Sequence, residues 1–150
     1  MTQDSSKAQE LFARILEVIE FPDNRSDMQN RLMHETLVLA CHEGLKGTRH
    51  GFGNLSSQVD SLCKQFHIKP QDAVAIHLMR RHSNSIAPIL HNDLLYDCRA
   101  LALFISAVFN ISIPSFLVGK IPTEGRRTAN IQIANYKYIR CTVQSWDDKY

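Results

Sequence analysis

The chain has 150 residues, a net charge of +2, a hydrophobic fraction of 44% and a charged fraction of 21%. This length suits one domain, and the ordinary composition excludes a fibrous repeat or an extended disordered chain. Apolar runs fall short of the roughly 18 residues that a membrane span needs, and the N-terminus does not resemble a secretory signal, so we expect no membrane partner.

The first half of the chain predicts two amphipathic helices. Ser6 is expected to cap a helix that ends near Glu20, because apolar residues recur there at three- and four-residue spacing. Ser26 or Asp27 is expected to open a second helix, which Gly44 ends.

The next stretch predicts two short helices after a glycine-rich loop at 46–53. Asn54 is expected to cap a third helix that runs to Phe66. Pro70 suits the first turn of a fourth helix, where Asp72 would interact favourably with the helix dipole. The two helices together have the outline of a helix-turn-helix.

The spacing of apolar residues supports this outline. Counted from Val59, apolar side chains fall at the positions that hold the two helices of such a motif together. They are Leu62, Phe66, Ile68, Ala73 and Ile76. His67 stands where a glycine usually adopts the left-handed conformation of the turn, and histidine tolerates that conformation only moderately.

Cations at the end of the fourth helix indicate nucleic-acid binding, because lysine and arginine supply the attraction to phosphate. Asp72 would then face a polyanion, which argues against insertion into the major groove, and a helical hairpin within the core is the alternative. The candidate nucleic-acid-binding residues are Lys69, Gln71, His77, Arg80, Arg81 and His82, together with Arg126 and Arg127 further along the chain.

After the fourth helix, residues 94–109 are apolar on nearly every side, which predicts a central helix capped by Asn92 or Asp93. Prolines and glycines then indicate an irregular linker at 113–135. Residues 136–144 alternate and are rich in β-forming residues, which predicts a short β element.

Charge and aromatic residues bear on the partner. Residues 1–45 carry four basic and eight acidic side chains, whereas residues 46–140 carry twelve and five. This asymmetry indicates a surface for a polyanion, or a solvated surface of uneven charge. Tyr136, Tyr138 and Trp146 interleave with Lys137 and Arg140 as in proteins that stack single-stranded bases, although a solvent-facing strand edge has the same pattern.

Signals of catalysis and cofactor binding are weak, so we expect no enzyme activity and no cofactor from this chain alone. Its seven histidines form no H-E-x-x-H motif, and no C-x-x-C pair or phosphate-binding glycine loop accompanies them. The dispersed cysteines fit reduced thiols of a cytoplasmic protein and are Cys41, Cys63, Cys98 and Cys141.

Two stretches look like family signatures, namely Arg-Arg-His-Ser-Asn at 80–84 and Leu-Tyr-Asp-Cys-Arg-Ala-Leu at 95–101. They resemble the N-terminal helical region of large bacterial superfamily 1 helicases over residues 51–114. The resemblance implies an ATPase core beyond residue 150, and it assigns no catalytic motif or site residue to this chain.

Both signatures also have a structural interpretation. Asp97, near Arg99 on the same helix, would then form a buried ion pair with Arg80 or Arg81. The sequence leaves this interpretation open beside the functional one.

We therefore expect a mainly α domain of about five helices at 1–112, a linker at 113–135, and an extended segment at 136–150 that opens a second domain of a longer protein. The expected function is a non-catalytic nucleic-acid-binding or scaffolding module of a nucleic-acid-processing protein, with DNA or RNA as partner. The alternative is a protein–protein interaction domain that docks on another protein or on the remainder of a longer chain.

Overall fold

The computed structural model describes residues 2–21, 26–46, 53–84 and 91–125, and the regular elements within these ranges are six helices. In chain order they are α1 (Thr2–Ile19), α2 (Ser26–Gly44), α3 (Leu55–Gln65), α4 (Pro70–Ser83), α5 (His91–Phe109) and α6 (Ser115–Val118). The predicted mainly α class and helical bundle are confirmed.

Helix α5 lies at the centre of this bundle. It packs against α1, α2 and α4, while α2 also contacts α1, α3 and α4. Burial follows from the sequence of α5, because its apolar residues are spread around the helix instead of forming one stripe. Its buried apolar residues are Leu94, Cys98, Ala100, Leu101, Ala102, Phe104, Ile105 and Val108.

Local signals predicted the bounds of α2, α3 and α4 closely. Two predicted caps were wrong: Ser6 lies inside α1, and Asn92 and Asp93 lie inside α5. Serine, asparagine and aspartate have modest helix propensities but are tolerated when tertiary packing stabilises the helix. Both helices therefore begin before their predicted caps.

Part of the stretch expected to be an irregular linker packs on the bundle. Helix α6 contacts α1, Leu117 is fully buried, and Ile113 and Ile121 pack against the core. Lys120 Nζ lies 3.1 Å from Glu20 Oε1, which ties the residues after α6 to the end of α1. The rest of the expected linker, and the β element expected within 136–150, lie outside the described residues.

Candidate functional site

The turn between α3 and α4 is a helix C-cap closed by a residue in the left-handed conformation. His67 has a φ of 53°. The Ile68 N–H donates to the Cys63 carbonyl over 3.0 Å, and the His67 N–H donates to the Lys64 carbonyl over 3.4 Å. These two bonds form a Schellman motif, in which His67 takes the left-handed position that glycine usually occupies.

The starts of the two helices also follow from local chemistry. Asn54 Oδ1 accepts a hydrogen bond of 2.8 Å from the Ser57 N–H, which satisfies one of the unpaired donors at the start of α3. Helix α4 begins with Pro70 in its first turn and carries Asp72 there. Both features were predicted from the sequence.

The apolar residues expected to hold α3 and α4 together do face the bundle. Leu62, Ala73 and Ile76 are buried, and Phe66 and Ile68 pack against the core while half-buried. The α3–turn–α4 unit is therefore a packed hairpin of two helices with a tight connection.

His77 was expected to face outward to a ligand, but its side chain forms hydrogen bonds with Asp60 on α3 and Arg80 on α4. Its Nε2 lies 2.7 Å from Asp60 Oδ1, and Arg80 Nε donates to its Nδ1 over 3.3 Å. Because Nδ1 accepts from Arg80, the neutral ring carries its proton on Nε2 and donates it to Asp60. The His77 side chain is only 15% exposed.

His82 forms a second contact of the same kind, between α4 and α5. Its Nδ1 lies 2.8 Å from Asp97 Oδ2, and the Asp97 side chain is only 5% exposed. Beside it, Ser83 Oγ donates to the Arg80 carbonyl over 2.9 Å. The stretches 80–84 and 95–101, which look like family signatures, are thus joined in space by His82 and Asp97.

Three of the candidate binding residues remain at the surface. Lys69, Gln71 and Arg81 are exposed, and Lys64 on α3 is exposed near the turn. Arg126 and Arg127 lie outside the described residues. The outward stripe of α4, which we define by exposure and helical spacing, consists of Gln71, Val74, Leu78 and Arg81.

Anionic groups lie on the same unit. The Asp60 side chain is 39% exposed beside His77, and Asp72 is half-buried in the first turn of α4. Since residues 54–84 hold four Lys and Arg side chains and these two carboxylates, the unit is only moderately basic. The sequence predicted an anionic group at Asp72 on this surface, whereas the role of Asp60 became evident only from its contact with His77.

The described thiols are not arranged for nucleophilic chemistry. Cys41, Cys63 and Cys98 are free and buried. Burial, with a smaller contribution from Cys63, raises the pKa of the Cys41 thiol to about 12. Burial, with a smaller contribution from Asp97, also raises the pKa of the Cys98 thiol. Both thiols are therefore protonated at neutral pH.

The described residues contain neither a metal-binding cluster nor a membrane-spanning helix. Within the described ranges, no group of three or more His, Cys, Asp or Glu side chains is placed to hold a metal ion. Among the described helices, none is both long enough and apolar enough to cross a membrane.

The chain matches no family model, no curated protein and no solved structure.

Proposed function

We propose that this chain is a non-catalytic nucleic-acid-binding module of a larger, cytoplasmic nucleic-acid-processing protein. The observation that supports it best is the α3–turn–α4 unit, in which a tight turn leaves Lys64, Lys69 and Arg81 exposed. Such a unit presents its second helix to a groove or backbone, and exposed cations contribute most of the affinity for phosphate. The resemblance of residues 51–114 to a helical region of superfamily 1 helicases agrees with this role.

Exposed polar groups lie at both ends of α4. Lys69 and Arg81 are twelve residues apart in the sequence, which corresponds to about 18 Å along a helix axis. Gln71 lies between them and both donates and accepts hydrogen bonds. The two cations would contact phosphates near opposite ends of α4, and Gln71 would contact a sugar or a base.

The residues that point inward have a positioning role in this proposal. The His77–Asp60 contact holds α4 on α3, and the His82–Asp97 contact holds α4 on α5. A helix fixed to two neighbours loses less conformational freedom on binding than a loosely packed one. His77, Arg80 and His82 would therefore support the surface without touching the ligand.

One observation favours a protein partner as the second candidate function. Val74 and Leu78 are half-exposed in the middle of the outward stripe of α4, between Gln71 and Arg81. An apolar centre with polar ends is the usual composition of a protein-binding surface. Docking through this stripe would depend on Val74 and Leu78 more than on Gln71 and Arg81.

Fluorescence anisotropy with labelled single- and double-stranded DNA and RNA at two salt concentrations tests the proposal. We expect a Lys69→Ala/Arg81→Ala variant to bind more weakly and to lower the slope of log K against log salt by up to about 2, since two phosphate contacts are removed. A Lys7→Ala/Lys46→Ala variant is the matched control, because it loses two exposed cations from α1 and the end of α2.

An equal loss of affinity in both double variants would show that binding depends on net charge alone, which would contradict a specific binding surface. Absence of binding by the parent protein at low salt would overturn the nucleic-acid proposal. In that case a Val74→Asp/Leu78→Asp variant would test protein docking through the same stripe.

A further inference from the structure

Helix α2 has a second apolar side, which no neighbour among the described residues covers. Met28 and Val38 are each 40% exposed, and Leu39 is 37% exposed. A helix that is apolar on one side only needs one neighbour, whereas apolar residues on both sides indicate a neighbour on each. The side that faces the bundle buries Met33, Leu37, Ala40 and Cys41.

The exposed side of α2 also carries two opposite charges at regular spacing. Arg31 and Glu35 are exposed and fall between Met28 and Val38. The four residues follow a three-four-three spacing, which is the spacing that aligns residues along one seam between two paired helices. The seam therefore reads apolar, basic, acidic, apolar along α2.

We propose that this seam is the interface with a second copy of the chain, with the two α2 helices antiparallel across a two-fold axis that crosses the seam midway between Arg31 and Glu35. In that arrangement, Arg31 lies level with Glu35 of the second copy, and Met28 lies level with its Val38. A two-fold axis repeats each contact, so both Arg31–Glu35 pairs form. A parallel arrangement would instead oppose Arg31 to Arg31 and Glu35 to Glu35, which is unfavourable.

The pattern fits a second copy better than a ligand of one charge. The seam has one cation and one anion between apolar ends. It is therefore complementary in charge to a second copy rotated by 180°, and its zero net charge attracts neither a polyanion nor a strongly basic segment. Helix α2 spans about 28 Å, and one helix face of that length makes a small interface. We therefore expect a weak dimer whose population rises with protein concentration.

Charge reversal at Arg31 and Glu35 tests the proposal, with sedimentation equilibrium over a range of concentrations as the measurement. Either R31E or E35R alone places like charges opposite each other in both pairs. We expect each to raise the dimer dissociation constant about tenfold or more. The double variant R31E/E35R restores opposite charges and should regain dimerisation.

A mixture of the two single variants gives a sharper result. One copy then carries two anions and the other two cations at the seam, so an equimolar mixture should form a heterodimer although neither variant pairs with itself. The matched control exchanges the exposed pair on α1, as K7E/E10K, and should leave the dimer unchanged. Circular dichroism confirms that each variant is folded.

A parent protein that stays monomeric at every concentration would overturn the proposal. So would a dimer that R31E, E35R and their mixture leave unaffected, because another surface would then hold it together. The seam of α2 and the outward stripe of α4 are separate surfaces. A monomeric protein would therefore not contradict nucleic-acid binding, and a protein that binds no nucleic acid could still form the dimer.

Discussion

His82 Nδ1 lies 2.8 Å from Asp97 Oδ2, and this contact joins the last turn of α4 to the second turn of α5. Asp97 is almost fully buried, whereas the His82 side chain is 29% exposed. A buried carboxylate is costly unless hydrogen-bond donors satisfy its oxygens. The main effect of the contact is therefore that His82 stabilises the buried Asp97 carboxylate. The basic end of α4 is therefore anchored to the central helix.

We expect Asp97→Asn to lower the free energy of unfolding by about 1.5–3 kcal/mol, because it replaces a charged hydrogen-bonding group with a neutral one of the same shape. Urea denaturation followed by circular dichroism measures this change. The exposed substitution Glu17→Gln is the control and should change stability by less than about 0.5 kcal/mol. Equal effects of the two substitutions would show that the His82–Asp97 contact contributes nothing.

We expect His67→Gly to raise the free energy of unfolding by about 0.5–1 kcal/mol, because glycine adopts a φ of 53° without the steric cost that a Cβ atom brings. The midpoint of urea denaturation is the readout. Asn110→Gly is a matched comparison, since Asn110 has a φ of 54° at the end of α5. Asparagine tolerates this region better than histidine, so the gain at Asn110 should be smaller.

We expect Gly44→Ala to destabilise the protein by about 1 kcal/mol, although alanine is the better helix former. A Cβ atom at Gly44 would lie 2.8 Å from Val108 Cγ1 and 3.2 Å from Leu62 Cδ2. The β-branched Val108 has little freedom to move away.

The same substitution in a Val108→Ala background should be neutral or stabilising, because the closest contact is then removed. A double-mutant cycle measured by thermal or urea unfolding gives this coupling directly. Additive effects of the two substitutions would contradict the close approach of α2 and α5.

We expect stability to fall as the pH rises above about 9, in part because of Cys41. Burial raises the pKa of its thiol from 9.0 to about 12 in the folded protein. The unfolded chain therefore loses its thiol proton first, and the stabilising contribution, complete below pH 9, is lost as the pH rises to about 12. One such group changes the unfolding free energy by about 1.4 kcal/mol per pH unit across that window.

Urea denaturation at intervals from pH 7 to pH 11 measures this dependence. Cys41→Ala should give a shallower decline above pH 9, whatever its effect on stability at neutral pH. A variant with the same slope as the parent would show that ionisation of Cys41 is not involved.

At pH 8, a thiol reagent should modify Cys41 and Cys98 far more slowly in the folded protein than in urea.

Local sequence signals determined where most of the described helices lie. Asn54 and Pro70 marked the starts of helices because a cap or a missing N–H acts within one turn of its own residue, and Gly44 is the last residue of α2. Apolar spacing placed the turn near His67, although histidine is a less favourable residue than glycine for the φ of 53° found there. The start of α5 was not predicted, because Asn92 and Asp93, which have the chemistry of helix caps, lie inside the helix.

The tertiary structure alone decided what the polar residues of α4 do. His77, Arg80, Arg81 and His82 are all polar residues on one short helix, and periodicity cannot tell an exposed cation from one that is turned inward. His77 meets Asp60 seventeen residues away, and His82 meets Asp97 fifteen residues away. Such contacts depend on how α3, α4 and α5 pack, and this packing left Arg81 at the surface while it turned its neighbours inward.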